Sequence, residues 1–163
     1  MRFTGEEYFR AGTERMRQAR EIHNSGESYA LAVYIGGLAV ECMLRAFRFS
    51  KDTSFEGRHD LEDLLRASEF LSINQDRSRK RGFSQAEFEQ VSISLRSAMN
   101  EVVALWHNNL RFASEGSLRA YLNRIGRNKG IKGNALKKNS ADMMNAAQLV
   151  VDRGVALWIS RKK

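Results

Sequence analysis

The sequence has no proline and a single cysteine among its 163 residues. At average usage about eight prolines would be expected, and because proline breaks helix interiors, its absence favours long, uninterrupted helices. One cysteine, Cys42, excludes a disulfide framework and a cysteine-rich zinc site. The three histidines, His23, His59 and His107, lie far apart in the sequence, which argues against a metal centre. We therefore expect no metal and no cofactor.

Long apolar runs are also missing. Residues 1–7 contain two acids and no apolar stretch, unlike a signal peptide. The longest apolar run, 29–40, has twelve residues including two glycines, whereas a membrane span needs about twenty. We expect a cytoplasmic protein without membrane contact. Its length fits one domain over residues 1–163.

Apolar residues recur at helical spacing and no long segment alternates with period two, which predicts an all-α fold of five to six helices. Residues 4–7 and 84–87 have the sequence of capping boxes, which start helices. Ser25 is the expected cap of the second helix, and Asn139 or Ser140 that of the last. These signals place the helices at about 5–23, 26–49, 61–72, 85–107, 115–125 and 140–160.

The second predicted helix is apolar on all sides over residues 29–40, which is typical of a helix surrounded by others. The glycines at 36–37 each cost up to about 1 kcal/mol in a helix, so we expect them to permit close approach of the backbone of a neighbouring helix. Arg45 is spaced to pair with Glu41, four residues before it. His59 is expected to be structural, with a hydrogen bond to a neighbouring helix at Glu41. A nucleotide pocket around Glu41 is the alternative.

Three motifs occur in a fixed order along the chain: Tyr-Ile-Gly-Gly-Leu-Ala-Val-Glu-Cys-Met-Leu-Arg-Ala at 34–46, His-Asp-Leu-Glu-Asp-Leu-Leu at 59–65, and Trp106 followed by Leu-Arg-Phe at 110–112. Over about residues 25–160 the sequence resembles the HEPN superfamily. Its members have a small-residue helix ending in a Glu-x-x-Leu-Lys-Ala-like stretch, then a His-Asp-Leu helix start. A later Trp is followed by an Arg–aromatic pair.

This resemblance implies a HEPN-like up-and-down helical bundle that forms a homodimer. It also implies a place in a bacterial toxin–antitoxin or defence module, where a nucleotidyltransferase antitoxin is a possible partner. Many members are metal-independent endoribonucleases with an Arg-x(4–6)-His motif near a groove at the dimer interface. There, imidazole can move protons near neutral pH, and guanidinium can stabilise a phosphate that gains charge in the transition state.

Two Arg–His pairs are candidate catalytic groups. Arg17 and His23 alone fit the family's spacing, although they lie in the first helix instead of a later one. A solvated helix end, with the imidazole near the helix C-terminus, is the alternative for this pair. His107 and Arg111 form a pair in reverse order, which lines a phosphate site or packs a helix end.

Positive charge is concentrated in two short segments. Lys and Arg number 27 against 19 Asp and Glu, a net charge of +8, and residues 116–141 contain no acid. Segments 76–82 and 126–134 are predicted to join helices, and basic side chains in such loops suit a polyanion. Simple solvation of these loops is the alternative. The candidate phosphate-binding residues are Arg77, Arg79, Lys80, Arg81, Arg127, Lys129, Lys132, Lys137 and Lys138.

The leading hypothesis is a HEPN-like helical protein that binds RNA or a nucleotidyltransferase partner in a toxin–antitoxin or defence module. One alternative is an active metal-independent endoribonuclease. Another is a protein-docking module that does not contact RNA. The sequence thus favours a binding protein over an enzyme, and if the protein is an enzyme we expect a metal-independent endoribonuclease.

Overall fold

A computed structural model describes residues 3–53, 59–80 and 84–162, and all regular structure in these ranges is helical. The predicted all-α class is therefore confirmed. Short 3-10 helices lie at Asn108–Phe112 and Ser160–Lys162. The α-helices are α1 (Gly5–Ser25), α2 (Tyr29–Phe49), α3 (Leu61–Ser68), α4 (Phe70–Lys80), α5 (Gln85–Leu105), α6 (Glu115–Arg124) and α7 (Ala135–Ile159).

The four long helices α1, α2, α5 and α7 alternate in direction. His23 near the end of α1 contacts Ser140 near the start of α7. At the other end, the Trp158 indole of α7 donates to Glu6 at the start of α1. Helix α5 runs antiparallel to α7, because its early residues lie beside late residues of α7. This arrangement is an up-and-down bundle.

Helix α2 is the core of this bundle, as its composition predicts. Fifteen of its 21 residues are buried. It is long and apolar enough to cross a membrane, but 78% of its most apolar window is buried by the other helices. Gly36 lies against Met144, and Gly37 lies against the indole of Trp106, whose N–H donates to the Tyr34 carbonyl at 2.9 Å. The two glycines thus leave room for these two side chains, and not for the backbone of a neighbouring helix as was expected.

The start of α2 is capped by two side chains. Ser28, not Ser25, is the N-cap, and its hydroxyl accepts from the Leu31 amide at 3.1 Å. Ser25 is the last residue of α1, so the predicted cap was wrong. Glu115, which begins α6, accepts from the Ala30 amide at 2.8 Å and from the Ser28 hydroxyl at 3.0 Å. The carboxylate therefore satisfies a backbone N–H that has no partner within α2.

The third predicted helix is in fact two helices, divided at Glu69. This residue has a left-handed backbone with φ of 53°. The turn directs Phe70 into the core, where it packs edge-on against Phe47. Helix α4 then continues to Lys80, so most of segment 76–82 is helix and not the linker that was predicted. Apolar contact at Phe70 explains why the chain turns and then resumes its helix.

Helix α7 begins five residues earlier than predicted, at Ala135. Asn134 is its N-cap, and its side chain accepts from a backbone amide in the first turn. Asn139 is buried instead, and its amide donates to the Ala135 carbonyl at 2.8 Å and to Asn128 at 3.2 Å. Ser140 is also buried. The two residues that were predicted as caps instead contact neighbouring segments: Asn139 bonds to Asn128 in the preceding loop, and Ser140 contacts His23 of α1.

Candidate nucleic-acid interface

One end of the bundle brings together the end of α1, the start of α2, the end of α5, the whole of α6 and the start of α7. Contacts that join these elements include His23 with Ser140, Glu115 with α2, and the Tyr121 hydroxyl donating to the Ala104 carbonyl at 3.2 Å. We call this region the loop end of the bundle. Its exposed cations, here named the basic cluster, are Arg111, Arg119, Arg124, Lys129, Lys132 and Lys137.

Two predicted phosphate-binding residues at this end already have acidic partners. Arg127 forms an ion pair with Glu101 on α5, and Lys138 pairs with Asp142 at 2.5 Å. Glu27 is an exposed carboxylate in the turn between α1 and α2. Within the described ranges, the six residues of the basic cluster form no ion pair. Their charge is therefore directed to solvent and outweighs that of the nearby acids.

The loop between α6 and α7 is held in place by asparagine side chains. The Asn128 amide donates to the Asn123 side chain at 2.8 Å and to a backbone carbonyl of α6 at 3.3 Å. Asn139 in turn donates to Asn128, which connects the loop to α7. Three loop glycines have positive φ, a backbone conformation that other residues rarely adopt. Lys129 and Lys132 therefore extend from a turn that is anchored on both sides.

His23 lies at the loop end with a fixed ring orientation. Its Nδ1 is 2.8 Å from the buried hydroxyl of Ser140. Burial lowers the pKa of His23, and the nearby positive charges of Lys137 and Arg20 lower it further. Arg20 is itself oriented by Gln148, whose side-chain oxygen accepts from its Nε at 2.7 Å. The imidazole is consequently favoured in its neutral form beside two cations.

The Arg17–His23 pair suggested by the sequence is not assembled. The two residues are six positions apart and therefore about 120° apart around the helix. Arg17 instead forms an exposed ion pair with Glu21 at 2.6 Å. The cations beside His23 are Arg20 and Lys137, which the family spacing did not indicate.

The reversed pair of His107 and Arg111 also has other contacts. The His107 ring lies edge-on to Tyr121, with ring centroids 5.0 Å apart. Burial lowers the pKa of His107, with a further contribution from the charge of Arg124. The Arg111 guanidinium lies over the Phe112 ring, 4.6 Å from its centroid. His107 therefore packs at a helix end, while Arg111 is exposed.

Both loop-end histidines are expected to titrate below the ordinary value of 6.5, which an NMR titration of the ring protons would measure. Because folding lowers the pKa values of both histidines, the unfolded chain binds more protons than the folded protein does as the pH falls through 6.5. The free energy of unfolding should therefore decrease over that range, and less so in a His23→Gln, His107→Gln variant. A midpoint above 6.5 for either residue would contradict the described surroundings.

The predicted structural cluster of Glu41, Arg45 and His59 lies away from this end. Glu41 is 1% exposed and Arg45 7%. Arg45 Nε donates to Glu41 Oε1 at 2.7 Å, and His59 Nδ1 lies 2.8 Å from the same oxygen. The neighbouring Cys42 is buried, which raises the pKa of its thiol to about 11. The carboxylate is thus occupied by the protein's own donors, as the spacing predicts.

The described part of basic segment 76–82, residues 76–80 at the end of α4, lies at a distance from the basic cluster. Leu71 shares a groove with Met99 and other late residues of α5, so α4 runs antiparallel to α5. The end of α4 therefore lies toward the start of α5. The loop end of the bundle, by contrast, contains the end of α5. A helix of 21 residues is about 30 Å long. The α4 residues concerned are Arg77, Arg79 and Lys80, and Arg81 lies outside the described residues.

Three features of the loop end were missed by sequence reasoning. Ser140 was assigned as a cap, although its contact with His23 joins residues 117 positions apart. The link between Asn128 and Asn139 likewise depends on how the loop folds back. Phe112 was noted only as part of a motif, yet the residue is 76% exposed. The available signal for the last of these was an aromatic residue directly after an arginine, in a short segment between two predicted helices.

In the parts of the chain that the structure describes, no three His, Cys, Asp or Glu side chains are grouped to hold a metal ion. The loop end combines exposed cations, an oriented histidine and an exposed aromatic residue. Comparisons with protein-family models, with curated proteins and with solved structures give no match.

Proposed function

We propose that this protein binds RNA through the basic cluster at the loop end of the bundle. The observation that carries the proposal is the set of six exposed cations, none in an ion pair among the described residues, partly on an anchored loop. Lys and Arg side chains that neutralise phosphates release counterions, which provides most of the affinity of non-specific binding. A net charge of +8 favours association with a polyanion.

The biological setting of the proposal rests on the motif resemblance. A HEPN-like protein would act within a toxin–antitoxin or defence module, in the cytoplasm and as a homodimer. Two copies would present two basic clusters, and the resulting avidity would favour an RNA long enough to reach both. A nucleotidyltransferase partner with an acidic surface is the alternative occupant of the same cations.

Fluorescence anisotropy with a labelled short oligouridine, in EDTA, tests the proposal at about 50 and about 200 mM KCl. We expect binding that weakens steeply with salt. The triple variant Lys129→Ala, Lys132→Ala, Lys137→Ala removes three of the six cations. Each lost phosphate contact lowers the slope of log K against log salt by about 0.7 on single strands, so a decrease of about two is expected.

A control variant with the same change in net charge is Arg10→Ala, Arg66→Ala, Arg96→Ala. These three side chains are exposed on α1, α3 and α5, and none of them belongs to the basic cluster. If the basic cluster is the interface, the control should retain nearly all of the wild-type affinity and slope. Equal losses in the two triple variants would refute a localised interface. Absence of RNA binding by the wild type at low salt would refute the proposal and favour the docking module.

A second candidate function is metal-independent RNA cleavage that uses His23. The specific observation is that the His23 imidazole is oriented by its contact with Ser140. Burial and the charge of nearby Lys137 lower its pKa, which favours the neutral form. A neutral imidazole can accept a proton from a ribose hydroxyl, and a lysine can stabilise the charge that develops on phosphate. EDTA-resistant RNA fragments that disappear with His23→Ala, but persist with Arg17→Ala, would support it. Intact RNA after prolonged incubation would exclude it for that substrate.

A further inference from the structure

Phe112 is an exposed aromatic residue in a segment whose neighbouring residues are packed against the bundle. The residue is 76% exposed at the end of the short helix Asn108–Phe112. Three contacts hold this segment in place. Leu110 within it is buried. Before it, the Trp106 indole donates a hydrogen bond to a backbone carbonyl of α2, and after it Ala113 packs against the core. Single exposed apolar residues are common on protein surfaces. Here, however, the ring is oriented outward by a well-packed support.

The surroundings of Phe112 are cationic. The Arg111 guanidinium lies 4.6 Å from the ring centroid, and a second pair of this kind follows on α6, where Arg124 lies 5.5 Å from the Tyr121 ring centroid. Tyr121 is half-buried and its hydroxyl bonds to α5, so it supports the fold. Phe112 has no such structural task, and it belongs to the end of the bundle that carries the basic cluster.

We infer that Phe112, together with the Arg111 guanidinium, is a stacking platform for a base of single-stranded RNA. The inference rests on the proposed function and names its substrate class. Unpaired bases stack on aromatic rings and on guanidinium planes without regard to sequence, whereas bases in a duplex are already stacked on one another. A stacking ring beside unpaired cations therefore selects single strands over duplexes.

The test compares the wild type with Phe112→Leu and Phe112→Trp, using labelled oligouridine and a duplex RNA of equal length. Phe112→Leu should weaken single-strand binding at least about fivefold, the lower limit for loss of one stacked base. Its salt slope should equal that of the wild type, because no phosphate contact is lost. Phe112→Trp should retain or improve the affinity, and the duplex should bind all three proteins alike and more weakly.

Ile159→Ala is the matched control, because Ile159 is 54% exposed at the opposite end of the bundle. It should leave single-strand affinity unchanged. The platform is refuted if Phe112→Leu binds oligouridine as the wild type does, or if duplex and single strand bind the wild type equally. RNA binding that remains salt-dependent and sensitive to the lysine triple variant would then still uphold the proposed function. Absence of any RNA binding would refute both.

Discussion

Replacement of Glu41 by alanine is expected to lower the free energy of unfolding by about 3–5 kcal/mol, the usual cost of breaking a buried ion pair. Arg45 is 7% exposed, and its Nε donates to the Glu41 carboxylate at 2.7 Å. Without that carboxylate its charge would remain buried with fewer acceptors. His59 would also lose a partner. Urea denaturation followed by circular dichroism measures the change.

The exposed pair Arg17–Glu21 provides a matched control on a neighbouring helix. Glu21→Ala breaks an ion pair with the same spacing, but it should cost no more than about 0.5 kcal/mol because both groups are solvated. The double variant Glu41→Leu, Arg45→Leu should recover much of the stability lost in Glu41→Ala, since it leaves no unpaired buried charge. A cost of Glu41→Ala below that of Glu21→Ala would contradict the described cluster.

Gly37→Ala is the second change with a large expected effect. A Cβ at this position would lie 2.0 Å from Cδ1 of Trp106, so the indole would have to move. Overpacking of a core costs about 1–3 kcal/mol, and displacement of the ring would add the loss of the hydrogen bond from its N–H to the Tyr34 carbonyl. Thermal and urea unfolding should both show the loss, with a larger one for Gly37→Val.

Gly116→Ala is the control for this substitution. Gly116 lies in helix α6, and the nearest neighbour of an added Cβ would be the Ser114 hydroxyl at 3.8 Å. Alanine is the better helix former by up to about 1 kcal/mol, so the free energy of unfolding should stay level or rise. If Gly37→Ala were equally harmless, the close contact between α2 and Trp106 would be in error.

Local signals along the sequence were sufficient for most of the fold. The capping boxes at 4–7 and 84–87 form as their sequences predict. The apolar run of α2 is buried, and Glu41 pairs with Arg45 as the helical spacing indicates. Each of these features depends on residues within a few positions of one another or on average hydropathy. The turn at Glu69 was missed because it is stabilised by contacts of Phe70 with a distant helix.

The candidate site was less accessible to sequence reasoning. A window without acids revealed Lys129, Lys132 and Lys137, but it also included Lys138, which pairs with a local acid. It did not reveal that Arg127 meets Glu101, which lies 26 residues earlier in the chain. Charge content can be read from a sequence, whereas the pairing of each charge depends on tertiary structure. Arg17 and His23 match the spacing of the motif, but they point to different faces of α1 because six positions correspond to about 120° around the helix.

The carboxylate of Glu115 makes the start of the central helix sensitive to structural changes at the loop end of the bundle. It accepts from the Ala30 amide, 85 positions earlier in the chain. If α6 detaches, that amide opens to water, so its rate of hydrogen–deuterium exchange reports on local opening of α6. A ligand that binds and stabilises α6 would slow exchange at the Ala30 amide without contacting Ala30. Hydrogen–deuterium exchange at the first turn of α2 therefore measures how stably α6 is packed at the loop end.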